Sequence, residues 1–216
     1  MTHVLITGCN RGIGLALAEA ALARGWQVTG TTRGADAPEG VTVIDCDMDN
    51  VGKIAGAFEG LGALDVLINN AGVIGPEVPA LDMDYAGFRH TLTVNTLAPL
   101  AVTQACLPAL RRANSARILS ISSQMSWMGY AKSDRIAYRA SKVALKKVMQ
   151  GVATDLAPEG IACALIDPGW VRTDMGGAQA DEDPFAVAEG VLTIAERLTM
   201  EETGKFFRFT GEERAF

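Results

Sequence analysis

The sequence predicts a doubly wound α/β domain built on a parallel sheet, and three observations carry that prediction. Short apolar runs alternate along the chain with longer segments of helical periodicity. Several short runs are apolar on successive residues, as in VLI at 4–6, VLI at 66–68 and RILSI at 117–121. That is the pattern of strands covered on both faces. The first strand also runs directly into a glycine-rich turn that opens a helix, TGCNRGIG at 7–14.

Taken in order, the first strand is expected at Val4–Thr7 and the helix after the glycine turn, with LALAEAALARG as its body, at Gly12–Arg24. A second strand follows at Gln27–Thr31. Between Arg33 and Val41 the chain holds only GADAPEG. That stretch is too short for a crossover helix, which normally needs about a dozen residues. If the second and third strands are parallel neighbours, a tight loop with at most a helical turn joins them, so this crossover is expected to be shortened. The third strand is expected at Thr42–Asp45, then a helix at Val51–Leu61 and a strand at Val66–Asn69. A long helical pattern covers Asp84–Ala113, a strand Arg117–Ser122, a second long helix Ile136–Leu156 and a strand Ala162–Ile166. The stretch GGAQADEDP at 176–184 reads as a loop. A helix at Pro184–Leu198 and a strand at Phe206–Phe209 close the series, with no internal repeat or linker between them.

Composition bounds the function. A chain of 216 residues with 49% hydrophobic and 20% charged residues suits one globular domain, 1–216, with a sizeable core. A net charge of −6 without a basic block argues against a nucleic-acid partner. No apolar run is long enough to span a bilayer, and MTHVLITGCN lacks the layout of a signal peptide, so a cytoplasmic protein with no membrane partner is expected. The 4 cysteines, Cys9, Cys46, Cys106 and Cys163, are scattered without metal-ligand spacing and read as reduced core thiols. The 2 histidines, His3 and His90, cannot build a metal site unaided, and no metal is expected.

The chemistry concentrates in three places. In the glycine turn, Gly8, Gly12 and Gly14 permit a tight turn and close approach of the backbone. Asn10, Arg11 and Ile13 complete the loop, and the helix N-terminus offers unpaired N–H groups and a positive dipole end to a pyrophosphate. The second strand ends in TTRG, placing Thr32 and Arg33 where dinucleotide folds discriminate a ribose 2′-hydroxyl from a 2′-phosphate. With Arg11 close by, two guanidiniums favour NADP(H), with NAD(H) as the alternative and Asp36 as the residue that complicates the choice. In YRASK, Tyr138 and Lys142 lie at i and i+4 and share a helix face. A nearby ammonium favours phenolate and is expected to lower the tyrosine pKa, making Tyr138 a candidate proton donor.

With TGxxxGxG, NNAG at 69–72 and YxxxK in this order, the sequence resembles the short-chain dehydrogenase/reductase family over nearly its whole length. DPGWVRTDMGG at 167–177 and the ending GKFFRFTGEERAF resemble, more narrowly, the subgroup of carbonyl reductases and C-factor-type proteins. The resemblance implies a Rossmann-type sheet of seven strands, a nicotinamide cofactor and a homodimer or homotetramer. It assigns catalysis to Asn95, Ser123, Tyr138 and Lys142, with Ser122 as the fallback serine because QMSWMGYAKSDRIA must loop out before the tyrosine. It places Asn70, Ala71 and Gly72 beside the cofactor, Asp47 and Met48 near the adenine, and Pro168, Gly169, Val171 and Thr173 against the nicotinamide carboxamide.

The implied reaction is hydride transfer between NADP(H) and a small-molecule carbonyl or alcohol. Tyr138 acts as general acid, Ser123 hydrogen-bonds the developing oxyanion, Lys142 lowers the tyrosine pKa and binds the ribose, and Asn95 holds a water that reprotonates Lys142. Asn95 falls inside a long helical pattern, where its side chain can break a backbone bond. Trp127, Met128, Tyr130, Trp170 and Met175 either line a substrate pocket or pack in the core or an interface. A cofactor-binding signalling protein of C-factor type with little turnover is the competing reading. A sugar-nucleotide epimerase is disfavoured, since only a short region follows Thr173.

Overall fold

The computed structural model describes residues 1–129 and 131–216. Tyr130, one of the aromatics read as a substrate contact, lies outside the described residues. Seven strands, β1 (His3–Thr7), β2 (Gln27–Thr32), β3 (Val41–Asp45), β4 (Val66–Asn69), β5 (Arg117–Ile121), β6 (Ala162–Asp167) and β7 (Phe206–Arg208), form one sheet in the order β3-β2-β1-β4-β5-β6-β7. Every pairing is parallel. The helices are α1 (Gly12–Ala23), α2 (Val51–Ala57), α3 (Tyr85–Leu92), α4 (Ala98–Leu110), α5 (Ile136–Leu156) and α6 (Pro184–Arg197).

The apolar runs behave as strands buried on both faces. Val4 and Ile6 pack into the layer that α1 and α6 form on one side, whereas Leu5 packs into the layer of α2, α4 and α5 on the other. The chain winds outward from β1 to β3, then crosses back to β4 beside β1. That reversal opens a crevice at the carboxyl ends of β1 and β4, where open α/β sheets bind ligands.

The shortened β2–β3 crossover expected from the sequence is present, and two departures from the sequence reading have local causes. The β2–β3 connection carries a bend and a turn but no helix, so β3 lacks cover on part of its surface and Val43 is 46% exposed. The second helix stops at Ala57 rather than Leu61, in a stretch where Gly56, Gly60 and Gly62 raise the entropic cost of continuing. The long helical pattern over 84–113 divides: Asp84 caps α3 through its side chain, and a π-helical turn over Thr93–Leu97 separates α3 from α4.

All four cysteines are buried and unpaired. His3 is structural: its ring nitrogens lie 2.8 Å from Ala63 O and 2.8 Å from Thr29 Oγ1. Asn69 steadies the sheet from within by donating to Thr103 Oγ1 and Ser120 Oγ.

Candidate active site

The crevice at the switch point encloses about 1410 Å³. Its floor is the glycine turn. Gly8 and Gly12 adopt positive φ of 69° and 54°, which side-chain-bearing residues rarely take. Gly14 is excluded from carrying a side chain for a different reason: an added Cβ would lie 1.9 Å from Gly8 O. Arg11 occupies the N-cap position of α1 and gives no side-chain cap. The first-turn N–H groups therefore remain available to an anion at the positive end of the helix. Asn70 fastens the neighbouring strand end to this turn, donating from Nδ2 to Thr7 O at 2.9 Å and to Gly8 O at 3.2 Å. The Asn70 and Ala71 amides both donate to Thr7 Oγ1 at 3.0 Å. An uncapped helix end, glycines that cannot be replaced and a cavity of this volume fit a dinucleotide.

Every residue assigned to cofactor binding lines the crevice. Arg11 and Arg33 are exposed at one end of it, with Arg11 Nη1 3.8 Å from Asp174 Oδ2 in a well-solvated pair. Asp36 is exposed and is not among the lining residues, although its neighbour Ala35 is. Asp47 and Met48 line the same end, joined by Cys46, Val94 and His90, which sequence reasoning missed. His90 Nδ1 sits 2.8 Å from Asp49 Oδ1, linking α3 to the loop after β3. That proximity is a long-range consequence of folding and has no local signature.

At the other end stand the residues assigned to catalysis. Tyr138 and Lys142 occupy the first turns of α5, both buried, with the ammonium 5.8 Å from the phenol ring centroid. Lys142 Nζ donates to Ile121 O at 2.7 Å, and burial pulls its pKa down to about 8. The expected acidification of Tyr138 is not what the structure gives. Burial raises the tyrosine pKa, a hydrogen bond with Ser123 and the Arg135 charge oppose the rise, and the Asp167 carboxylate adds to it. A phenolate loses its hydration here, and a buried amine that itself sheds its charge does not compensate.

The two serines separate cleanly. Ser123 hydrogen-bonds with Tyr138 and accepts from Met125 N at 3.1 Å, whereas Ser122 is buried with a hydroxyl that has no partner among the described residues. Asn95 is fully buried in the π-helical turn and does not line the crevice. Its Oδ1 accepts from Val73 N at 2.8 Å, and its Nδ2 donates to Val73 O at 2.8 Å and to Ser141 Oγ at 3.0 Å. The side chain therefore bonds across to the segment after β4 and to α5. It does not break a bond of its own helix, as the sequence suggested, and both amide protons are committed to protein acceptors. Gly72 fits against it: a Cβ there would lie 3.2 Å from Asn95 Oδ1 and 3.7 Å from Lys142 Nζ.

The segment after β6 forms the opposite wall. Gly169 turns with φ 76°, Val171 is buried, and Thr173 Oγ1 donates to Val171 O at 3.3 Å. Trp170 and Met175 line the crevice at 44% exposure each. Trp127 and Met128 lie outside it, at 46% and 77% exposure. Arg135, unforeseen in the sequence, lines the crevice from the N-cap of α5 and pairs with Glu77 at 2.8 Å. Among the described residues it is the one non-glycine with positive φ, 51°. Arg139 ties the loop before α5 together by donating to Asp134 and to Met125 O.

Geometry of this kind defines a class, the dinucleotide-dependent oxidoreductases, and similarity to known proteins narrows it. The short chain dehydrogenase family model matches residues 2–184. C-signal of Myxococcus xanthus is 43% identical over 154 residues, covering 70% of this chain and 92% of that protein. The 3-oxoacyl-[acyl-carrier-protein] reductase MabA of Mycobacterium avium is 31% identical over 202 residues, covering 89% of this chain and 78% of that one. Among solved structures, carbonyl reductase Sniffer of D. melanogaster superposes with a TM-score of 0.92 at 30% identity over 100% of both chains. The NADPH-bound carbonyl reductase from chicken fatty liver superposes with 0.90 at 26% identity over 100% of this chain and 99% of that one. The chain belongs to the short chain dehydrogenase family and is an oxidoreductase of that family.

Proposed function

We propose that the protein reduces a small carbonyl compound with NADPH, and that Asn95, Ser123, Tyr138 and Lys142 serve the reaction. The observation that carries this is the contact between Tyr138 and Ser123, both buried and both lining a crevice floored by an anion-ready glycine turn. Arg11 and Arg33 would hold the 2′-phosphate, the first turn of α1 the pyrophosphate, and Val171 and Thr173 the carboxamide. The preference for NADPH is supported by one carbonyl reductase and two other similar proteins whose solved structures carry NADPH or NADP.

A bound nicotinamide supplies the hydride. The protein supplies the proton and the geometry. Hydride arriving at the carbonyl carbon leaves negative charge on its oxygen, where Ser123 donates a hydrogen bond and Tyr138 donates a proton. A raised phenol pKa keeps Tyr138 protonated before that moment, which suits an acid in the reductive direction. Lys142, with a pKa of about 8, exchanges a proton close to neutral pH and would return one to Tyr138. Asn95 fixes the segment after β4 and the helix that carries both groups.

The test is a titration of NADPH against NADH with a panel of aldehydes, ketones and diketones, run on wild type and Tyr138→Phe. Turnover with NADPH is expected, falling about 10²–10⁴-fold in the variant while NADPH still binds. Near-normal turnover by Tyr138→Phe would falsify the acid assignment. The 43% identity to C-signal favours one other reading, a cofactor-binding signalling protein. NADPH binding without turnover across the whole panel would establish it. We further propose action in the cytoplasm as a homodimer or homotetramer; among the described residues no helix is long and apolar enough to cross a membrane.

A further inference from the structure

The carboxylate of Asp167, at the end of β6, is fully buried, and no part of the proposed reaction uses it. Its Oδ1 accepts from Gln124 N at 3.0 Å and from Gly169 N at 3.0 Å. Gln124 follows Ser123, and Gly169 opens the wall assigned to the nicotinamide carboxamide. One oxygen thus holds the two arms of the site at a fixed separation. Its Oδ2 accepts from Arg214 Nη1. Arg214 belongs to the C-terminal tail, which folds back on β7: Arg214 N donates to Phe206 O at 2.7 Å, Phe207 bridges Glu213, and Lys205 pairs with Glu213 at 3.0 Å.

We propose that Asp167 and Arg214 form a positioning pair: the carboxylate ties the serine arm to the nicotinamide arm, and the tail guanidinium balances its charge beside the reacting phenol. The inference rests on the oxidoreductase reading of the site. Tyr138 is faced by Arg135 and Lys142 from its own helix, by Ser123 from the end of β5 and by Asp167 from β6. Asp167 is faced by Arg214 from the tail and by Lys146 from α5. A carboxylate near the phenol holds it in the protonated, donating form, and an adjacent guanidinium limits how far that hold extends. The field of the C-terminal tail therefore reaches the proton donor through one buried side chain.

The charge variants Asp167→Asn and Arg214→Met test the pair with opposite expected signs. The chain has 3 tyrosines, so the phenolate of Tyr138 is followed by ultraviolet difference titration of each protein against the same protein carrying Tyr138→Phe. Asp167→Asn keeps an acceptor for both amides and leaves the guanidinium, so the Tyr138 titration moves down by about one pH unit. Arg214→Met leaves the carboxylate uncompensated, so the titration moves up. Asp167→Ala removes the acceptor itself, and NADPH binding, read by fluorescence, weakens about tenfold, while Asp167→Asn stays within about threefold. Shifts of the same sign in the two charge variants, no shift in either, or full NADPH affinity in Asp167→Ala would overturn the proposal. The titration needs neither cofactor nor substrate, so it decides the pair's role even if no carbonyl on the panel is turned over, an outcome that would count against the proposed reaction alone.

Discussion

At the scale of single residues, Lys142 shows how a site is set against the stability of its fold. Its ammonium is buried with Ile121 O as its acceptor, and its pKa falls from 10.5 to about 8. A lysine whose folded pKa lies below its unfolded one binds fewer protons when folded. Its burial therefore costs stability at and below pH 8, and that stability returns as pH rises from about 8 towards 10.5. The cost at neutral pH is on the order of 3 kcal/mol, partly offset by the hydrogen bond to Ile121. Lys142→Met is accordingly expected to abolish most turnover while matching or exceeding wild-type stability at pH 7. In denaturant titrations at successive pH values, its advantage should shrink above pH 8. A variant uniformly less stable than wild type at every pH would show that the lysine is a structural necessity. The sequence announced Tyr138 and Lys142 by their i, i+4 spacing, but not the direction in which the phenol shifts. Spacing shows that two groups can meet; burial decides which charge state survives, and burial belongs to the folded molecule.

At the scale of elements, the π-helical turn over Thr93–Leu97 is what brings Asn95 to bear. The side chain replaces strand-like pairing for Val73, satisfying both its N–H and its C=O, and reaches α5 through Ser141. Asn95→Ala would leave the part-buried N–H and C=O of Val73 unpaired, at an expected cost of about 1–3 kcal/mol. Chemical denaturation measures that loss directly, and a loss under about 1 kcal/mol would mean that water replaces the amide. The helix itself was legible, since its apolar pattern runs across the interruption. The π turn was not, because one extra residue in a turn barely disturbs a hydrophobic period. The missing crossover helix was legible for the opposite reason: GADAPEG is too short to hold one. The tail is the hardest element to foresee. Arg214 meets Asp167 only because β6 and β7 are paired and the chain turns back, a contact across 47 positions of sequence.

At the scale of the whole molecule, strand order and layer assignment follow from crossover rules once the strands are placed. What lies outside the chain is written only in its surface. Leu100, Ala101 and Leu107 on α4 and Val143, Val148 and Val152 on α5 are half-buried, and Leu97 at the head of α4 is 49% exposed. Both helices cover the same face of the sheet. Apolar side chains left partly open along two adjacent helices are favourably covered by a second copy, and a symmetric pairing would set the same face against itself. A stable interface of this kind buries about 800 Å² per partner, within reach of two helices of this length. Light scattering on the eluting protein is therefore expected to give twice the 22.8 kDa chain mass or a multiple of it. Val148→Glu places a charge in the middle of that face and should shift the protein to monomer while NADPH binding is retained, since Val148 does not line the crevice. A wild-type monomer, or an oligomer indifferent to Val148→Glu, would remove α5 from the interface and leave the edge of the sheet beside β7 as the surface to test next.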